Sequence, residues 1–372
     1  MMRDGTPALR VLSVATSYPR SADDWQGLFI QRLVDALAAR DSLQASLWAP
    51  PGPLAAGVTW AGTESDADFL TALAGGGGIA HQLRQQKIRG GLRALELLRR
   101  LRALYRRSDH ELIHVHWLQN ALPLLGLDRR VVVSVLGSDF AMLKLPGMVT
   151  ALRRVFASNR CVLTPNAPWM APELERHFGD IASVVPVNFG IDDVWYSLEQ
   201  ETPEKRQDWL CVSRVTEGKI GDLFDWGEDA FLDDRRLTLV GPNQGGLTVP
   251  GWVNYQGSAT PQDIASAWFP RATGLVSLSR HAEGRPQVML EAMAAGLPIV
   301  ASSLPAHQAT IIDGETGCLV DSRAAFAAAM KRLDDPGLRL ELGARAREKA
   351  RHDFGLWSDC AHRFEQVYHS LL

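Results

Sequence analysis

Cysteine is scarce and scattered in this sequence. Cys161, Cys211, Cys318 and Cys360 stand far apart, with no CxxC and no Cys/His cluster. That spacing argues against a structural zinc site and against a disulfide-framed secreted domain. Long apolar runs are missing too: no stretch approaches the ~18 residues of a membrane-spanning helix. The amino terminus, MMRDGTPALRVLSVATSYP, has a short strand-like run but no signal-peptide core. The chain therefore reads as soluble and cytoplasmic. Neither sign of charge dominates, with 39 Lys and Arg against 42 Asp and Glu, and with no recognition motif nucleic acid is not an expected partner. No GxGxxG turn follows the first apolar run, where SYPRSADDWQG stands instead, which weighs against a nicotinamide enzyme.

What is present is the balance of a globular protein, 46% apolar and 22% charged, in 372 residues, a length that favours two cores. Short β-branched runs alternate with amphipathic segments throughout. Strand-like runs are expected at 9–15, 44–48, 111–116, 131–136, 161–164 and 183–186. A polar, proline-containing stretch, SLEQETPEKRQ, then interrupts the pattern and reads as a linker over 197–207. A second series follows at 209–212, 237–240, 252–255, 274–278, 298–301 and 318–320. Continuous apolar strands between helices indicate parallel sheets covered on both faces. The expected architecture is α/β, with a first domain over 1–196 and a second over 208–352. Such pairs place ligands at the carboxyl ends of their strands, in a central cleft.

The segment Ser277–Gly296, SLSRHAEGRPQVMLEAMAAG, carries the clearest chemistry. A strand ends near Ser279, a loop holds Glu283, Gly284, Arg285 and Pro286, and a helix follows that contains Glu291. Glu291 is the only acid in an apolar helix, and such a carboxylate is expensive to bury unless hydrogen-bonded. Vicinal sugar hydroxyls would supply that bonding, since a carboxylate accepts two at once.

The E-x7-E pattern in EGRPQVMLEAMAAGLPIVAS resembles the signature of retaining glycosyltransferases of family 4, which have the GT-B fold of two Rossmann-like domains with parallel sheets facing a central cleft. In that fold the first domain is the acceptor side, the second binds the nucleotide-sugar, and the last segment, 353–372, is a helix crossing back to the first. Val212–Lys219 (VSRVTEGK) is similar to the family segment in which an Arg and a Lys grip the donor diphosphate. LVG at 239–241, YQG at 255–257 and DGETG at 313–317 match further landmarks, as do IHVHW at 113–117, GSD at 137–139 and PVNFGID at 186–192. The resemblance implies that Glu291 holds the nucleotide ribose, Glu283 the transferred sugar, and Arg214 and Lys219 the diphosphate. Gly284, Arg285 and Pro286 would complete the donor loop, and Gly27 would let the chain approach the donor. It also implies retention of configuration, with no metal and no other cofactor. The family histidine before Gly-Ser-Asp is Leu136 here, so either Asp139 or His116 joins Glu283 as a catalytic group or that contribution is absent. Ile220 replaces a glycine, and Leu304-Pro305-Ala306-His307 replaces the glycine pair near the donor phosphates.

Other features have plainer readings. Asp66-Ala67-Asp68 matches the DxD of metal-dependent transferases but opens a helical pattern that Ser65 can cap. His281 reads as a loop residue. Residues 84–107 carry nine Lys and Arg against Glu96 alone, with Leu92, Leu95, Leu98, Leu101 and Tyr105 at helical spacing. They read either as a helix packed on its own sheet or as a peripheral contact with an anionic membrane. The expected function is transfer of a hexose-like sugar from a nucleotide-sugar to a glycan or lipid-linked glycan, in cell-surface polysaccharide or glycolipid synthesis. The rivals are a non-catalytic nucleotide-sugar-binding homologue and an epimerase or hydrolase on the same fold.

Overall fold

A computed structural model describes residues 7–85, 87–200, 207–232 and 234–372. It divides into unit 1, residues up to Phe189 with Trp357–Leu372, and unit 2, Gly190–Leu356.

Unit 1 is built on β1 (Leu9–Val14), β2 (Leu43–Trp48), β3 (Thr59–Trp60), β4 (Leu112–His116), β5 (Arg130–Val135), β6 (Arg160–Pro165) and β7 (Ser183–Val184). These described strands pair in parallel in the order β3-β2-β1-β4-β5-β6-β7. Alternate side chains serve two cores, as the two-residue period of a strand requires. Leu12, Val14, Ile113, Val115, Val131 and Val133 pack with Leu97, Leu101 and Tyr105 of the helix Lys87–Arg107. Leu9, Val11, Leu112 and Val132 pack instead with Leu33, Leu37, Trp357 and Phe364. With both faces covered, a run such as VVVSV has no solvent face and shows no polar alternation.

Unit 2 repeats the plan with β8 (Gln207–Val212), β9 (Arg235–Val240), β10 (Asn254–Gly257), β11 (Gly274–Ser277), β12 (Ile299–Ser302) and β13 (Cys318–Val320). The order is β10-β9-β8-β11-β12-β13, again parallel. One face packs under Met289, Leu290, Met293, Ala346 and Ala350, the other under Phe326, Met330 and Leu342. In each unit the order reverses once, between β1 and β4 and between β8 and β11. Those two points are where open α/β sheets hold ligands, outside the carboxyl ends of the strands.

Three expected boundaries move. Residues 190–196 join unit 2 because Ile191 bridges Leu356 and Trp195 packs 4.6 Å from Phe269, ring centre to ring centre. Gln207, expected to end the linker, opens β8, while residues 201–206 of that linker lie outside the described residues. The helix expected from 353 starts at 357: Pro336–Asp353 ends before Gly355 (φ +63°), and Trp357–His369 belongs to unit 1.

Candidate active site

The unit 2 switch point is formed by three loops. β8 runs through Ser213–Thr216 into a short helix, Glu217–Ile220. β11 runs through 278–285 to Pro286, which caps the helix Gln287–Ala294. β12 leads into Pro305–Gln308. Hydrogen bonds fasten the first two loops together. The Gly218 carbonyl accepts from the Arg280 amide at 2.8 Å and from Ser279 Oγ at 3.2 Å. Arg280 in turn pairs with Asp222. Gly221, at φ +54°, lies so close that a Cβ there would sit 1.9 Å from the Leu278 carbonyl oxygen.

This fastening brings Lys219 against Glu283, with Nζ 2.5 Å from Oε1. The two side chains are only 19% and 14% exposed, so the charges meet largely out of water, where their attraction is strong. Arg214, five residues before Lys219, lies at the same strand end, with Nη1 3.5 Å from Gln244 Oε1. Within this loop Gly284 and Pro286 are buried. Glu291 is half-buried with Gln287 and Val288, while Met289, Leu290, Ala292, Met293 and Ala294 are buried. It sits one turn into the helix, because the helix starts at Gln287 and not directly after Glu283.

Arg285 turns inward. Its guanidinium lies 4.7 Å from the Phe354 ring centre and donates to the Ala309 carbonyl. Burial lowers it to about 10, against the opposing pull of Asp353. Its side chain thus packs inside unit 2.

In unit 1 the structure does not bring His116 or Asp139 to the surface. Asp139 is buried and clasps the loops after β4 and β5: Oδ2 accepts from the Leu118 amide and Oδ1 from the Leu136 amide, both at 2.9 Å. Burial pushes it up to about 6 despite those two bonds. His116 is also buried, its ring 4.3 Å from that of His114, and neither of its nitrogens has a partner among the described residues. Trp117, next in the chain, is held at φ +69°, a strained setting for a bulky residue. Gly27 has φ +75°, and a Cβ there would meet the Ser17–Tyr18 backbone at 2.7 Å. The close approach that requires glycine is thus to the chain's own β1 loop.

Asp66 is the third residue of a helix capped by Thr63, not Ser65, in a reciprocal capping box. Its carboxylate pairs with Arg100 and Arg107 at 3.1 and 3.2 Å. Among the described residues no three His, Cys, Asp or Glu are grouped to hold a metal.

His116 gives a pH prediction. Burial lowers it to about 3 from its ordinary 6.5. The unfolded chain therefore takes up its proton first, and stability present above pH 6.5 is lost as the pH falls towards 3. At pH 5 the loss from this one group is about 2 kcal/mol. Asp139, raised from 3.8, acts oppositely below pH 6, so the wild-type curve alone mixes the two. Urea unfolding of His116→Phe isolates the histidine: the stability difference from wild type shifts in the variant's favour by about 2 kcal/mol from pH 7.5 to 5. A difference that does not change with pH contradicts the burial argument.

Two parallel-sheet α/β units of seven and six described strands are the architecture shared with glycosyltransferases of the GT-B fold. Residues 226–335 match the family described as Glycosyl transferases group 1. A D-inositol 3-phosphate glycosyltransferase of Corynebacterium diphtheriae is 31% identical over 245 residues, 56% of each chain, so this chain spans about half the length of that relative. Among solved structures, sucrose-phosphate synthase from Thermosynechococcus elongatus covers 98% of this chain and 99% of its own, with TM-score 0.73 and 17% identity. Anabaena HepE in complex with UDP-glucose covers 97% of this chain and 100% of its own, with TM-score 0.66 and 14% identity. At such identities these two speak for the fold.

Proposed function

We propose that this chain is a glycosyltransferase that moves a hexose-like sugar from a nucleotide-sugar to a glycan or lipid-linked glycan with retention of configuration and without a metal cofactor. The observation that carries this reading is the Lys219–Glu283 pair at the unit 2 switch point. The hard part of sugar transfer is departure of the diphosphate, whose charge grows in the transition state. Lys219 and Arg214, fixed at the end of β8, favour that charge more than the ground state. Glu283 accepts hydrogen bonds from the transferred sugar, and Glu291 accepts a pair from the ribose diol. The UDP-glucose held by HepE supports the donor class. Release of nucleoside diphosphate is the test: it requires an acceptor glycan. Equal release without acceptor points to a hydrolase, and donor binding with no release under any acceptor points to a binding homologue.

The lipid-linked acceptor is favoured by one surface. On the helix Lys87–Arg107, Ile88, Leu92 and Leu95 are 82%, 64% and 57% exposed, at the spacing of one helical face. Lys87, Arg89 and Arg99 are exposed alongside, and Arg93 is half-buried. The expected apolar stripe therefore divides: Leu101 and Tyr105 enter the core, and Leu92 and Leu95 do not. The arginines divide as well, since Arg102 donates to the Pro123 and Leu125 carbonyls and Arg100 and Arg107 hold Asp66. Apolar side chains flanked by cations suit an anionic bilayer. Sedimentation with phosphatidylglycerol vesicles is expected for wild type and lost in Leu92→Glu with Arg93→Glu. Binding that ignores lipid charge, or survives the double change, contradicts the docking.

A further inference from the structure

The helix Lys87–Arg107 flanks a groove in unit 1 that sugar transfer does not use. The groove lies against the turn Leu118–Leu124, has a volume of about 540 Å³, and is lined by Leu98, Arg99, Arg102, Arg106, Leu122 and Leu125 among others. That is the size of a small-ligand site. Arg99 and Arg106 are exposed and Leu125 is 48% exposed, so the groove opens to solvent. Ile88, Leu92, Leu95, Arg99, Arg102 and Arg106 follow one another at alternating steps of four and three, which is one helical face. The exposed apolar stripe therefore runs on into the groove, where its residues change from leucine to arginine.

Three arginines line the groove and no acid does. Arg99 and Arg106 make no hydrogen bond or ion pair among the described residues. Arg102 is fixed by the opposite wall: Nη1 donates to the Pro123 carbonyl at 2.7 Å and to the Leu125 carbonyl at 2.5 Å. Its Nε and Nη2 have no partner among the described residues. Burial, and then the like charge of Arg106, hold this guanidinium below its ordinary value. Like charges three and four residues apart on a helix repel, and an anion between them removes that repulsion. The planar fork of a guanidinium matches the oxygens of a phosphate. The leucines alongside suit hydrocarbon, which a bare ion does not carry.

We propose that this groove holds the phosphomonoester headgroup of a single membrane lipid of the phosphatidate kind, with the nearest methylenes of its chains on Leu98, Leu122 and Leu125. A phosphomonoester carries a charge of about −1.5 to −2, a closer match to three cations than the single charge of a phosphodiester. The inference deepens the docking reading of this helix, and rests on it for a membrane as the source of the lipid.

The test is calorimetric titration of the full chain with dihexanoyl phosphatidate below its micelle concentration, beside dihexanoyl phosphatidylglycerol and glycerol phosphate. Wild type is expected to bind phosphatidate about tenfold or more tighter than glycerol phosphate, which lacks the chains, and tighter than the singly charged phosphatidylglycerol. Arg99→Gln with Arg106→Gln removes two exposed cations that hold nothing else among the described residues. That pair of changes should weaken phosphatidate binding about tenfold or more with the circular dichroism spectrum unchanged. Either single change gives the same comparison in smaller measure if the double variant does not fold. Wild type that does not bind the monomeric lipid, or a folded variant that binds it equally, overturns the groove as a site. Equal affinity for glycerol phosphate overturns the lipid as its ligand, and equal affinity for phosphatidylglycerol overturns the phosphomonoester. Vesicle sedimentation separates the two readings: it persists without monomer binding if docking alone holds, and fails with monomer binding intact if the groove alone holds.

Discussion

Lys219→Ala is expected to lower sugar transfer by about 10²- to 10³-fold, with most of the loss in kcat and little in KM. The magnitude is that of removing one fixed charge-stabilising donor from a largely desolvated site. The split follows because the ammonium meets more negative charge on the departing diphosphate than on the bound donor. The same change leaves Glu283, only 14% exposed, without its cation, so folding is verified by circular dichroism before rates are compared. Lys219→Arg keeps the charge, though not the compact geometry that places Nζ 2.5 Å from Glu283, and it should recover part of the activity. A kcat for Lys219→Ala within threefold of wild type contradicts the assigned role.

The second large effect is on folding. Gly221→Ala places a methyl group 1.9 Å from the Leu278 carbonyl oxygen at φ +54°. The obstruction is backbone, which cannot swing aside as a flexible side chain would. Strain at such a φ and relief of the clash together cost about 3–5 kcal/mol. Gly246 is the comparison: it has φ +64°, and a Cβ there would meet nothing within 4 Å. Gly246→Ala therefore pays the backbone strain alone, about 1–2 kcal/mol. Urea unfolding of the two variants reads the difference, and equal losses contradict the close approach at Gly221.

The two-sheet architecture was legible because fully buried strands announce themselves as apolar runs. VVVSV at β5 and the short runs at β8, β9 and β12 need no partner to be recognised. β3 was not legible: two residues, Thr59 and Trp60, carry no period. Capping chemistry was read correctly in kind and wrongly in place, since Thr63 and Ser65 are both good caps and only the entry angle of the chain chooses between them. The arginines between 84 and 107 looked alike in sequence. Their partners decide their roles, and Asp66 lies 34 residues before Arg100 and 41 before Arg107.

The same limit applies at the site. Glu283 and Lys219 stood out through the family segments they resemble, but their pairing across 64 residues did not. It depends on β8 and β11 being neighbours in the sheet, which alternation alone cannot order. Arg285 stands beside Glu283 in the sequence, and the ring its guanidinium packs on, Phe354, lies far along the chain. Asp139 and His116 looked catalytic from the motifs around them. The structure spends Asp139 on two backbone amides and buries His116 without a partner among the described residues.

Thermal unfolding with saturating nucleotide-sugar, in wild type and Glu291→Ala, reads donor binding in unit 2. At a ligand concentration a hundred times Kd, binding to the folded state adds about 2.7 kcal/mol. For a unit of this size that is a rise in Tm of about 5–10 °C. That rise is expected for wild type with at least one of UDP-glucose, UDP-N-acetylglucosamine and GDP-mannose, and little or none for Glu291→Ala. No shift with any donor, or the same shift in both proteins, contradicts a nucleotide-sugar site at the carboxyl ends of β8 and β11.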